Sequence, residues 1–143
     1  MMKRIGKFFL NVSLYVAIVL GLLFGLPRAL SWYLGTPYPI AAITSGSMWP
    51  ALHTGDLVFI KAVSKENLKV GDVVVWKNDS GKGFVIHRVV RLKDKTFVTK
   101  GDANFIEDAP VKYEDLVGKT VQIFGRNARL PYFGLVTVYA HKN

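Results

Sequence analysis

Cysteine is absent from the 143 residues. That excludes disulfides, thiolate metal sites and a cysteine nucleophile, and it leaves the redox compartment open. Acid is absent from residues 1–50, where Lys3, Arg4, Lys7 and Arg28 are the only charges; all 10 acidic side chains fall in 51–143. The net charge is +9. A balance this basic suits nucleic acid or anionic lipid as a partner. No basic helix with interleaved aromatics and no nucleic-acid motif is present, so nucleic acid is not expected. The lipid reading has direct support.

"FFLNVSLYVAIVLGLLFGL", residues 8–26, carries no charge over 19 residues. As a helix it would span roughly 28 Å, close to the ~30 Å of a bilayer's hydrocarbon core. Basic residues gather before it, which predicts a cytoplasmic N-terminus and an extracytoplasmic remainder. Trp32, Tyr33 and Tyr38 would form an aromatic belt at the outer interface. A cleavable leader would have a shorter apolar run and a small-x-small site. This run instead meets Pro27 and Arg28. The expected organisation is a basic cytoplasmic end over 1–7, a membrane anchor over 8–30, and an extracytoplasmic domain over 31–143.

Beyond Gly46 the pattern turns to β. "LVFIKAV" (57–63), "VVVW" (73–76), "FVIHRVVRL" (84–92), "TFVT" (96–99) and "TVQIF" (120–124) are β-branched or aromatic runs. "NDSGKG" (78–83) and "KDK" (93–95) would close hairpins, and "YEDL" (113–116) could make one helical turn. The prediction is a mostly β domain, a small antiparallel barrel or sandwich. "LPYFGLVTVYA" (130–140) is too short to span as a helix and reads as a final core strand or an interfacial patch. Gly-Asp occurs at 55–56, 71–72 and 101–102. The first two read as turns, with glycine at positive φ and aspartate bonding nearby amides. The third opens an acidic loop, "KGDANFIEDAP".

Three features could carry chemistry. In "ITSGSMWP" (43–50), Ser47 sits between Gly46, which permits a tight bend, and Pro50, which stiffens the exit; Met48 can bury itself as an anchor. A serine needs a base to take its proton as it attacks. Ser-Gly-Ser is also an ordinary turn sequence. Of three histidines, His53 has a turn-like context, His141 is in the tail, and His87 lies within a strand, on a face with Val85 and Val89. An imidazole there is either a satisfied core group or a sheltered, rigidly mounted base. Asp102, Glu107 and Asp108 crowd into seven residues. A hairpin of 84–92 with 96–100 would bring them near His87, either as orienting acids or as a solvated loop. Their spacing matches no metal loop and no histidine accompanies them, so no metal is expected.

Taken together, the chain resembles type I signal peptidases, and within them the archaeal and endoplasmic-reticulum branch. "SGSMWP" resembles the nucleophile box, "VGDVVVW" the Gly-Asp strand box, "VIHRVV" the base box and "TKGDANFIED" the acidic box, in family order behind an N-terminal anchor. "LPYFGLVTV" also resembles that branch, and the likeness covers roughly residues 8–140. It implies a membrane-bound serine endopeptidase of the signal peptidase I kind that removes signal peptides, cutting after small residues and needing no cofactor. It implies Ser47 as nucleophile, His87 as base where bacterial members have lysine, and Asp108 as triad acid. Asp102 would support the site, and Ser45 with the Ser47 amide would form the oxyanion hole. The implied partners are preprotein signal peptides, the lipid bilayer of the cell membrane and the protein-export translocon. An extended substrate would pair with "PIAAIT" (39–44), with Ile40 and Ile43 lining shallow pockets. Two features depart from the family pattern: Trp49 where many relatives have an acidic or aliphatic residue, and a short domain without a large insertion.

Two other readings compete. One is a serine–lysine dyad protease, with Lys100 the nearest lysine. The other is an anchored β-domain that binds exported proteins without catalysis.

Overall fold

A computed structural model describes residues 2–78 and 83–140 of the chain. It divides into two compact units, Met1–Tyr33 and Leu34–Asn143.

The first unit is helical. α1 (Met2–Leu20) runs into a π-helical turn, Gly21–Gly25, and then into α2 (Leu26–Leu34). The π turn has a local cause. Pro27 has no N–H and its ring crowds the carbonyl one turn back. The backbone widens just before it, and the Leu26 N–H reaches Gly21, five residues back. Residues 7–34 form one 28-residue helix long and apolar enough to cross a membrane. Its apolar side chains, Phe8, Leu14, Val19 and Phe24 among them, are exposed all round. A helix that is apolar on every face is suited to lipid.

The second unit is a curled antiparallel sheet, a half-barrel. Its strands are β1 (Ile40–Ala42), β2 (Leu57–Lys61), β3 (Val73–Lys77), β4 (Phe84–Leu92), β5 (Thr96–Lys100), β6 (Val111–Lys112) and β7 (Leu116–Thr120). β8 (Gln122–Ile123), β9 (Arg126–Asn127) and β10 (Arg129–Leu130) follow, then a short helix, α3 (Leu135–Ala140). The order across the sheet is β1-β2-β7-β3-β4-β5-β6, with β10 also on β2, while β8 and β9 form a separate hairpin. The expected mostly β fold is therefore present, as an open half-barrel rather than a closed one.

Two apolar clusters hold the sheet. Leu68, Val74, Trp76, Val89, Phe97 and Val111 form one. Ile43, Met48, Leu52, Val58 and Val73 form the other, with Ala41 and Ile86 packed on it. The second cluster fixes the "SGSMWP" turn, because Met48 is only 1% exposed. Burying such a side chain is worth about 1.5–3 kcal/mol.

Gly55 and Gly71 have φ of 90° and 94°. Asp56 and Asp72 each accept from a backbone amide three residues back, His53 and Lys69. Each also takes a cation from a distant strand or loop: Arg129 on Asp56, Lys119 on Asp72. The turn 93–95 joins β4 to β5, and residues 113–115 make a 3₁₀ turn. The other expected hairpin turn, 78–83, lies largely outside the described residues, although Asn78 N–H does bond to the Gly83 carbonyl.

Two sequence expectations fail. The strand expected at 120–124 ends at Thr120 and begins at Leu116. Gly118 and Lys119 hide it by breaking the apolar run. Gly118 is required there, since a Cβ would sit 2.4 Å from the Lys61 carbonyl of neighbouring β2. Residues 122–127 instead turn back on themselves through Phe124 and Gly125, at φ 50° and 76°. The second failure is the core-strand reading of the C-terminal segment, one of its two readings, because residues 135–140 are helical. Gly134 lies against the carbonyls of Gly55 and Asp56, too close for a side chain, and its N–H bonds to Gly55. That contact turns the chain off the sheet despite its β-branched residues.

Candidate active site

His87 is mounted on β4 opposite Val74 of β3 and is 8% exposed. Its Nδ1 lies 2.7 Å from Asp108 Oδ2, and its Nε2 lies 3.1 Å from Ser47 Oγ. A carboxylate only accepts, so the ring carries its proton on Nδ1 and offers the Nε2 lone pair to the serine hydroxyl. Ser45 Oγ is 3.1 Å from Ser47 Oγ on the other side. Ser45, Ser47, His87 and Asp108 thus come together from three separate parts of the sequence.

Asp108 and Ser47 are each held by something outside the group. The Thr99 hydroxyl, on β5, donates to Asp108 Oδ2 at 2.6 Å, and the Asp108 amide donates to the Thr99 carbonyl at 2.8 Å. The carboxylate is therefore pinned to β5 by side chain and backbone. Ser47 is held through its carbonyl, which accepts from the Ala103 amide at 2.9 Å. Gly101 makes that approach possible: a Cβ there would lie 2.7 Å from the Ser47 carbonyl oxygen. The third Gly-Asp is thus a docking point for the serine turn.

Asp102 is placed differently from Asp108. Arg88 donates to it twice, Nε at 2.8 Å and Nη2 at 2.6 Å, and Arg88 Nη1 reaches the Gly71 carbonyl at 2.8 Å. Arg88 follows His87 directly and points the other way. Its hydrogen bonds to Asp102 hold the Arg88 pKa above the usual guanidinium value. Glu107 pairs with Arg91. The three acids of the loop therefore serve three different partners.

A cleft of about 1260 Å³ opens beside the serine. Ile40 to Ser45 form one wall and Gly83 to His87 the other, with Met48, Ile60 and Val75 beneath and Asn104 at the serine end. Ile40 is exposed along it, whereas Ile43 is 4% exposed and packed into the core. Among the described residues β1 has one strand neighbour, β2. The Pro39 carbonyl and both polar backbone groups of Ile43 bond toward the β2 side. Alternation then turns the backbone groups of Ile40, Ala42 and Thr44 toward the cleft.

Thr99, Arg88 and Asn104 were not singled out from sequence, and Gly101 only as part of the third Gly-Asp. Of the first three, only Thr99 left a clue, as a hydroxyl closing an apolar strand just before the acidic loop.

No family model matches the chain. Curated relatives do. The signal peptidase complex catalytic subunit SEC11 of Candida tropicalis is 35% identical over 144 residues, covering 91% of this chain and 82% of that protein. Its counterpart in Candida dubliniensis is 31% identical over 137 residues, with the same coverage. The signal peptidase complex catalytic subunit SEC11C of Homo sapiens is 33% identical over 117 residues, 73% of this chain and 58% of that protein. The chain thus spans little more than half the length of SEC11C.

Proposed function

The chain belongs to the family of signal peptidase catalytic subunits, the endoplasmic-reticulum and archaeal branch of type I signal peptidases, and on that footing we propose that it is a membrane-bound serine endopeptidase that removes signal peptides from exported preproteins. One observation carries the proposal: Ser47 Oγ, the His87 ring and Asp108 form an unbroken hydrogen-bonded line, 3.1 Å and 2.7 Å long.

In this reading Ser47 Oγ attacks the carbonyl carbon of the scissile peptide bond while His87 Nε2 takes its proton. Asp108 keeps the ring in the tautomer that can do so and stabilises the imidazolium. The Ser45 hydroxyl and the Ser47 amide donate to the oxyanion; one such donor is typically worth about 10²–10³ in rate. The C–N bond then breaks, His87 gives its proton to the leaving amine, and water releases the acyl group by the same route in reverse. Asp102 takes a supporting part, locking Arg88 and the loop that docks on Ser47. The substrate lies extended in the cleft and pairs with the outward backbone of Ile40, Ala42 and Thr44, the mode of strand addition.

The topology belongs to the same proposal. Residues 1–7 are cytoplasmic, 8–30 form the core of a single-pass anchor in the cell membrane, and 31–143 work outside it. The anchor confines enzyme and inserted preprotein to one bilayer, which raises their effective concentration. The export translocon delivers the substrate.

Cleavage of a preprotein in liposomes by wild type, His87→Ala and Lys100→Ala tests the proposal. Wild type and Lys100→Ala are expected to cut, and His87→Ala is not. The reverse pattern for the two variants would favour a serine–lysine dyad. No cutting by any of them would favour a binding domain.

A further inference from the structure

Tyr38 and Phe84 face each other across the end of the cleft remote from Ser47. Their ring centroids are 4.7 Å apart with the planes tilted at 58°, and the two side chains are 43% and 47% exposed. They come from opposite walls: Tyr38 precedes β1 and Phe84 begins β4. Tyr38 was expected in an interfacial belt, yet it is turned onto Phe84. Its backbone is set for this. Pro37 and Pro39 flank it, and a residue before proline is confined to extended conformations. The Tyr38 amide bonds to Thr36 Oγ1, and the Pro39 carbonyl accepts from Ile60.

The walls are open strand edges. β1 pairs only with β2, and β5 joins β4 only from Arg88 onward, so among the described residues 84–87 have no strand partner on that side. Both walls run toward the serine. His87 lies three residues from Phe84, about 10 Å along a strand, and Thr44 lies six from Tyr38, about 20 Å. An extended peptide with its reacting carbonyl at Ser47 therefore brings a side chain three to six residues away against the two rings. In a preprotein the apolar segment precedes the cut, so that side chain comes from its trailing end.

We infer that Tyr38 and Phe84 are specificity-determining residues that take an apolar side chain of the substrate four to seven residues before the cut. The inference rests on the reading of the cleft as the substrate groove of Ser47. The two rings touch, so a substrate side chain meets their exposed outer surfaces and not a gap between them. A polar side chain gains little against that apolar surface, whereas an apolar one sheds water there. The pair thus reads where the apolar segment ends, at a fixed distance from the bond to be cut.

The test uses the full chain in liposomes and preprotein substrates with one leucine placed in turn at each position from three to seven before the cut, serine filling the others. The readout is the ratio of kcat/KM for leucine over serine at each position, which loss of folded enzyme does not move. Wild type is expected to prefer leucine about tenfold at one position four to seven before the cut, the low end of what an apolar contact discriminates. Tyr38→Ala/Phe84→Ala brings that ratio near one, and Tyr38→Phe keeps it. Equal ratios in wild type and the double alanine variant, or no preferred position, would overturn the inference. The same peptides are also titrated, as fluorescent conjugates, against Ser47→Ala protein with and without the two rings. A leucine preference that needs the rings there, without cleavage by wild type, would sink the peptidase reading and keep the pair. Binding without such a preference, or no binding, sinks the pair.

Discussion

Thr99 donates its hydroxyl to the same oxygen of Asp108 that receives the His87 ring. One carboxylate oxygen therefore holds both the imidazole and the strand beside it, and Asp108 cannot turn without breaking two bonds. Asp102, six residues earlier, is bound twice by Arg88. The two acids should fail differently. Asp108→Asn can donate to Nδ1 and so favours the wrong tautomer; kcat is expected to fall about 10⁴-fold, read by preprotein cleavage, with the melting temperature little changed. Asp102→Asn is expected to cost about 2 kcal/mol of stability, the range for a hydrogen bond to a charged group, read by thermal unfolding, and to cost far less rate. Thr99→Val removes one hydroxyl and should lower kcat about tenfold, the worth of one hydrogen bond. The residue pattern by itself did not rank Asp102, Glu107 and Asp108; only the family resemblance pointed to Asp108, with Asp102 in support. They differ by which of His87, Arg88 and Arg91 each meets, and that depends on the alternation of β4 and on where the loop folds back.

The serine turn works as an element because it is fixed from two directions. Beneath it, Met48 and Leu52 are sunk in the cluster with Ile43, Val58 and Val73. Above it, the turn after β5 docks on the Ser47 carbonyl through Gly101 and Ala103. Met48→Ala should destabilise the domain by about 2–5 kcal/mol, the usual cost of a cavity of that size, seen as a lower midpoint in denaturant. Gly101→Ala acts on position rather than stability. A methyl 2.7 Å from the Ser47 carbonyl forces the turn away, and a displacement of about 1 Å at a reacting group can cost about 10²-fold in rate. The expected result is a loss of that order in kcat/KM with an unchanged circular dichroism spectrum. Strands β2, β3, β4 and β5 were legible because β-branched runs between turn residues have few other uses. β7 was not, since its Gly118 serves the close approach of β2, a need invisible without the partner strand. Nor was α3, because its placement follows from Gly134 meeting the carbonyls of Gly55 and Asp56, far back in the chain.

The whole molecule joins a helix exposed in apolar side chains on every face to a half-barrel domain that carries the serine cleft. The charge-free run of residues 8–26 made the helix legible; it continues to Leu34 and stops before Gly35, at φ 68°. Alkaline carbonate should leave the intact chain in the membrane pellet, while a variant lacking residues 8–26 is expected in the supernatant; release of the intact chain would remove the anchor. The most direct measurement of all is cleavage of a preprotein by wild type and by Ser47→Ala in liposomes, with the N-terminus of the product read by mass spectrometry. Wild type should yield one new N-terminus, immediately after a small residue, and Ser47→Ala should yield none. The same product at the same rate from both proteins would contradict Ser47 as the attacking group.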